Sequence, residues 1–162
     1  GGKYSLYEGG TRTPFITSWK GKIPAGTSEK MVCTIDLATS LAALTGTEIP
    51  GDAFLDSLDV SAALLGKADA QGRTHLVQQD NGGRGNNGYR SGNWKLTKHA
   101  KKSARNTKVE KTLTNDKVPE FQLYDLSKDP AEKTNVAKDH PKILARLIAE
   151  LEKIKADGRS RS

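Results

Sequence analysis

Residues 121–157 read FQLYDLSKDPAEKTNVAKDHPKILARLIAELEKIKAD, and two different periods stand side by side in them. Phe121–Leu126 (FQLYDL) alternates in the manner of a half-buried strand. SKDPAEKTN follows as a turn, with Pro130 near a helical first position. From Pro141 the period changes. Ile143, Leu144, Leu147, Ile148, Leu151 and Ile154 recur at the spacing of one helical face. Asp139 is placed to cap that helix, and Pro141 suits its first turn. Burying six such side chains contributes on the order of 10 kcal/mol gross, at roughly 1.5–3 each. Ordering the helix cancels most of that, so the helix needs a surface to pack on. The strands before it are that surface.

Those strands are legible upstream. THLVQQ (74–79) reads as one strand, and GYRSGNWKLTKH as a hairpin that turns over Ser91 to Asn93. Between them, DNGGRGNNG (80–88) is a glycine and asparagine loop whose composition permits positive φ. Ahead of residue 70 the pattern is mixed. PFITSW (14–19) is short, apolar and β-prone, and predicts a buried strand. A helix is predicted through LATSLAALTG, capped by Asp36 and stopped by Gly46. A second, short helix around VSAALLG ends at Gly66. The expected division is 1–70 and 71–162.

A chain of 162 residues with 35% hydrophobic and 6% aromatic residues can build a core, though not a generous one. No apolar stretch approaches the roughly 20 residues of a membrane span, and no membrane partner is expected. The single cysteine, Cys33, rules out an internal disulfide, and its setting in MVCTI predicts a buried structural thiol. The net charge of +7 suits a polyanionic partner. However, the basic residues are not gathered on one element with interleaved aromatics, so nucleic acid is not expected. The densest basic run, Lys98 to Lys111, reads as a loop.

Residue types alone show no complete active site. His75, His99 and His140 lie far apart with no metal-ligand spacing. There is no EF-hand loop, no P-loop lysine after the glycines and no Gly-x-Ser-x-Gly elbow. What stands out is the first fourteen residues, GGKYSLYEGGTRTP, in which Lys3 precedes a glycine turn at Gly9 and Gly10, followed by Arg12 and Pro14. There is no initiator Met, which suggests a carboxy-terminal piece of a longer protein.

That run resembles a stretch late in the catalytic domain of sulfatases, G-K-x-x-x-Y-E-G-G-x-R-x-P, followed by a strand and a W-P-G-x-I-P-x-G turn. The resemblance continues in order. TIDLATSLAALTG is similar to T-x-D-x-x-P-T-x-x-x-x-x-G, and LDSLDVSAALLGK to D-G-x-x-x-x-P-x-L-x-G. YRSGNWKL is similar to R-x-G-x-W-K-L, and FQLYDLSKDPAEKTNVA to L-Y-D-L-x-x-D-P-x-E-x-x-N-L-A. Five weak motifs in one order over nearly the whole chain are together specific. The departures fall on turns and packing: Ser57 stands where glycine is usual, and Lys20 where the turn has proline.

The resemblance implies an α/β chain, α+β in this piece. It would be the end of an alkaline-phosphatase-like catalytic domain, followed by a small antiparallel sheet with a packed carboxy-terminal helix. It implies a sulfuric ester hydrolase acting on a sulfated small molecule or glycan, secreted or periplasmic. Its nucleophile is a formylglycine made in a C/S-x-P-S-x-R motif, which this chain lacks, and its calcium ligands lie upstream as well. No metal site is therefore expected here, and the piece alone should be inactive without its amino-terminal region. Asp80-Asn81-Gly82 lies on the wrong side of the lysine run to be the family's Asp-Asn pair, and reads as loop. By the resemblance, Lys3 is the catalytic residue carried over. Glu8 and Arg12 are expected to pair and to orient it from behind, and Arg84 and Arg90 are candidates for the substrate cleft. Two alternatives stay open: a non-catalytic basic module that holds sulfated polysaccharide or nucleic acid, and a related phosphoesterase of the same superfamily.

Overall fold

The computed structural model describes residues 4–80, 86–99 and 119–161. In chain order its elements are α1 (Glu8–Thr11), a 3-10 turn (Thr34–Asp36), α2 (Leu37–Thr45), α3 (Ser61–Leu64), β1 (His75–Gln79), β2 (Asn87–Ser91), β3 (Trp94–Lys98), β4 (Phe121–Asp125) and α4 (Pro141–Asp157). They divide into two compact units: Gly1–Pro14 with His75–Lys153, and Phe15–Thr74 with Ile154–Ser162.

In the first unit the four described strands form one antiparallel sheet in the order β1-β2-β3-β4. Side chains alternate across a sheet, so register decides which residues share a face. The row Val77, Tyr89, Leu96, Leu123 runs across all four strands. It faces α4: the Tyr89 hydroxyl donates to Glu150 Oε2 at 3.0 Å, and Lys98 reaches Glu152 at 3.0 Å. Leu147 and Leu151 of α4 are fully buried, as are Leu96 and Leu123. At about 1.5–3 kcal/mol for each such side chain, this layer carries most of the unit's apolar stabilisation. The helix and its packing surface are those the spacing predicts.

The opposite face holds Arg90, Lys95 and Tyr124 in one row and Gly88, Thr97 and Gln122 in the next. It is covered by the chain's own beginning. Ser5, Leu6, Tyr7 and Glu8 are all buried. A Cβ on Gly88 would meet the Leu6 carbonyl oxygen at an ordinary contact distance of 3.7 Å and Gln78 Oε1 at 3.1 Å. The hairpin is tighter than the sequence predicts. Ser91 pairs with Trp94 as the last strand residue, and the turn is Gly92-Asn93, with Gly92 at φ 58°.

The second unit is held differently. Here α2 ends where Gly46 takes the left-handed conformation, φ 69°, as its sequence predicts. Asp36, expected to cap α2, makes no such bond. Its carboxylate accepts from the Cys33 and Leu58 N–H groups, both at 2.9 Å, and from Arg73 Nε at 2.8 Å and Nη2 at 2.5 Å. Arg73 Nη2 also donates to the Asp56 carbonyl. Both side chains of this ion pair are 1% exposed. Next to it, Gly72 passes so close to Met31 that a Cβ would sit 2.6 Å from the Met31 carbonyl oxygen.

Two further expectations fail in this unit. PFITSW is not a strand and is not buried: Ile16 is 88% exposed and Trp19 is 52% exposed. A strand needs a neighbour for its N–H and C=O groups, and all the described strands lie in the first unit. Cys33 is a half-buried free thiol rather than a buried one.

Candidate functional site

The segment that carries the sulfatase-like run is held from three sides within the first unit. Tyr7 precedes the single turn of α1, whose N–H groups at Gly10 and Thr11 donate to Tyr7 O at 2.8 and 3.1 Å. The Tyr7 hydroxyl donates to Gln122 Oε1 on β4 at 2.6 Å, and its ring meets that of Tyr124 edge-on, centroids 6.0 Å apart. Burial, followed by the neighbouring Tyr7 hydroxyl, pushes the Tyr124 phenol well up. It therefore stays protonated and donates to the same Gln122 oxygen at 3.0 Å.

The next residue, Glu8, is the centre of a buried charge cluster. Its Oε1 lies 2.8 Å from Lys95 Nζ on β3, and its Oε2 lies 3.5 Å from Arg90 Nη1 on β2. Its backbone N–H donates to Glu132 Oε2 at 2.6 Å. Glu132 Oε1 is 3.5 Å from Lys95, within ion-pair range but beyond a direct hydrogen bond. Lys95 is completely buried. Burial raises the Glu132 carboxyl above its usual range despite the opposing effect of Lys95. Glu132 also takes a left-handed backbone, φ 54°. That conformation is uncommon for a side chain of this size and is held only by strong surroundings.

The other candidates fall as follows. Lys3 and Arg84 lie outside the described residues, as does most of the Lys98–Lys111 run. Arg12 is exposed and closes α1, its N–H donating to Glu8 O at 2.8 Å. The Glu8 carboxylate, expected to pair with Arg12, is taken by Lys95 and Arg90. Arg90 also donates through Nε to Gly92 O at 3.0 Å. Sequence reasoning missed Lys95 and Glu132. The signal for Lys95, the second residue of WKLTK, was its place at the lysine of the R-x-G-x-W-K-L motif. Glu132 had none.

Among the described residues, no group of three or more His, Cys, Asp or Glu is placed to hold a metal ion. The acidic pair Glu8 and Glu132 is already filled by the Lys95 ammonium. Calcium therefore does not fit the described residues. No helix among them is long and apolar enough to cross a membrane.

Residues 2–157 match the family model described as N-sulphoglucosamine sulphohydrolase, C-terminal. The chain is 42% identical over 157 residues to an N-acetylgalactosamine-6-O-sulfatase of Bacteroides thetaiotaomicron, covering 96% of this chain and 29% of that protein. It is 34% identical over 168 residues to human arylsulfatase A, covering 96% of this chain and 32% of the relative. The fold superposes, with a TM-score of 0.83 at 42% identity, on a structure from work on glycosaminoglycan metabolism by Bacteroides thetaiotaomicron. That match covers 96% of this chain and 32% of the other. The chain thus spans about a third of the length of these relatives. An antiparallel sheet with a packed helix, the buried amino-terminal run and the motif order all fit one assignment: the chain belongs to the N-sulphoglucosamine sulphohydrolase C-terminal family, a sulfatase domain.

Proposed function

We propose that this chain is the carboxy-terminal part of an enzyme that hydrolyses sulfate monoesters of an aryl alcohol or a sugar, and that Lys3 is its catalytic contribution. The observation that carries this reading is the family match over 2–157, which takes in Lys3 within its G-K-x-x-x-Y-E-G-G-x-R-x-P run. The sulfated sugar named in the Bacteroides thetaiotaomicron relative supports a glycan substrate. In this reading the nucleophile, a formylglycine, and the calcium ligands belong to the region ahead of residue 1. The whole protein works in the periplasm or outside the cell.

The chain's own chemistry is electrostatic. A sulfate ester carries negative charge on its non-bridging oxygens, and its alcohol oxygen gains charge as the S–O bond breaks. A fixed ammonium at Lys3 donates to both, and such a donor acts most strongly when it is held in place beforehand. Arg84 and Arg90 are our candidates for substrate contact.

The test uses the complete enzyme and an aryl sulfate. Lys3→Ala should lower kcat by about 10²–10³, the usual cost of losing one preorganised donor. The isolated chain should show no turnover. Metal-dependent turnover by the isolated chain would overturn the reading. So would steeply salt-dependent binding of a heparin-like polymer together with a Lys3→Ala enzyme at full rate, the behaviour of a basic binding module.

A further inference from the structure

We propose that Glu8, Lys95 and Glu132 form a positioning cluster that holds the run after Lys3 on the small sheet, so that the catalytic contribution of Lys3 depends on residues about 90 to 130 positions further along the chain. The inference rests on the catalytic reading of Lys3. None of the three residues needs to touch substrate.

Three observations carry it. First, the cluster bonds the run through backbone as well as side chain. Glu132 takes the Glu8 N–H at 2.6 Å, while Lys95 takes the Glu8 carboxylate at 2.8 Å and lies 3.5 Å from Thr11 Oγ1. The turn of α1 is thus fixed at both ends. Second, the arrangement is costly to build for packing alone. A lysine in a central strand, completely buried, needs partners on its face, and Glu132 provides one from a left-handed backbone. An apolar pair would fill the same space at lower cost. Third, the run is packed into the unit from Ser5 onward. Ser5, Leu6 and Tyr7 are buried, and Tyr4, which follows Lys3 directly, itself takes a left-handed backbone, φ 80°. A misplacement of about 1 Å from a site remote from the reaction can lower a rate by about 10²-fold.

The experiment is a double-mutant cycle in the complete enzyme with an aryl sulfate as substrate. Glu132→Gln keeps the volume and the acceptor for the Glu8 N–H, and it leaves Lys95 paired with Glu8. Glu8→Gln is the second variant and leaves Lys95 paired with Glu132. Each should lower kcat by roughly 10-fold to 10²-fold, with KM changed less than about two-fold. In a Lys3→Ala background each should lower the remaining rate less than about two-fold, because the group they position is gone. A loss of merely structural origin would multiply in full in both backgrounds. That result, or either single variant at wild-type kcat, overturns the positioning role alone. A Lys3→Ala enzyme at wild-type rate overturns the catalytic reading and the positioning role together.

Discussion

The two units solve the same problem in opposite ways. In the first, both faces of the sheet are covered by other parts of this chain: α4 on one side, the amino-terminal run on the other. Its large apolar side chains Leu6, Leu96, Leu123, Leu147 and Leu151 are almost entirely buried. In the second, Phe15, Ile16, Trp19, Leu41, Leu44 and Phe54 are all exposed. Trp19, Leu41, Leu44 and Leu64 line an open apolar groove of about 270 Å³. Beside the buried Val60, Leu64 and Ala70, this unit has a polar centre, the Asp36–Arg73 pair and its backbone donors. The contrast separates a core closed by its own chain from an apolar surface that this chain leaves uncovered. The second is what part of a larger domain presents, in keeping with a chain that spans about a third of its relatives.

The comparison can be broken most sharply at Asp36. Asp36→Asn leaves the Arg73 guanidinium buried without its countercharge and should destabilise the second unit by about 3–5 kcal/mol. Urea unfolding followed by Trp19 fluorescence in a Trp94→Phe background reads this, and a loss below about 1 kcal/mol would show that the pair is not what holds the unit. Next come two leucines of the same helical character. Leu147→Ala should cost about 2–5 kcal/mol. Leu41→Ala, on the exposed side of α2, should stay within about 0.5 kcal/mol. Equal losses at the two positions would erase the distinction drawn above.

A smaller effect is expected from Tyr7→Phe, which removes the donor to Gln122 and should cost about 1 kcal/mol. Its circular-dichroism melt should otherwise look native. Smaller again is Arg146→Ala, which breaks the exposed pair with Glu150 on α4 and should cost about 0.3–0.5 kcal/mol. A loss several times larger would mean that the α4 surface carries structural weight.

Acid gives a last test, read by sign. The N–H groups of Thr134 and Lys133 hold the Asp129 carboxyl below its ordinary 3.8. A group whose folded value is depressed contributes stability above its unfolded value and loses it as pH falls through the folded one. Asp129→Asn should therefore lower the urea midpoint at pH 6 and match wild type near pH 2. Glu132 runs the other way. Its folded value is raised above 4.5, so the native state gains stability as pH falls from that value towards 4.5. Glu132→Gln should remove that gain.

How much of this was legible beforehand depended on the range of each interaction. The α4 face, the strand at Phe121–Asp125 and the stops at Gly46 and Gly66 follow from patterns a few residues long, and they form where the patterns place them. The PFITSW strand does not form, because strand propensity is realised only against a neighbouring strand. The site divides in the same way. The lysine-glycine run could be read from its own residues, but the partners of Glu8 lie 87 and 124 residues away. No local pattern announces that a lysine in WKLTK will be enclosed on both sides, nor that Glu132 will turn inward from a polar loop.

Lys95 has one more consequence, for how the sheet finds its pairing. A slip of one residue in β3 would turn every side chain to the opposite face. Leu96 would then meet Glu8 and Glu132, and the lysine would meet Leu147 and Leu151. An all-apolar strand would tolerate that error, since either face would still be filled with hydrocarbon. With a charge at the second of its five positions the strand rejects a one-residue slip, and the lysine acts as a key to the correct face.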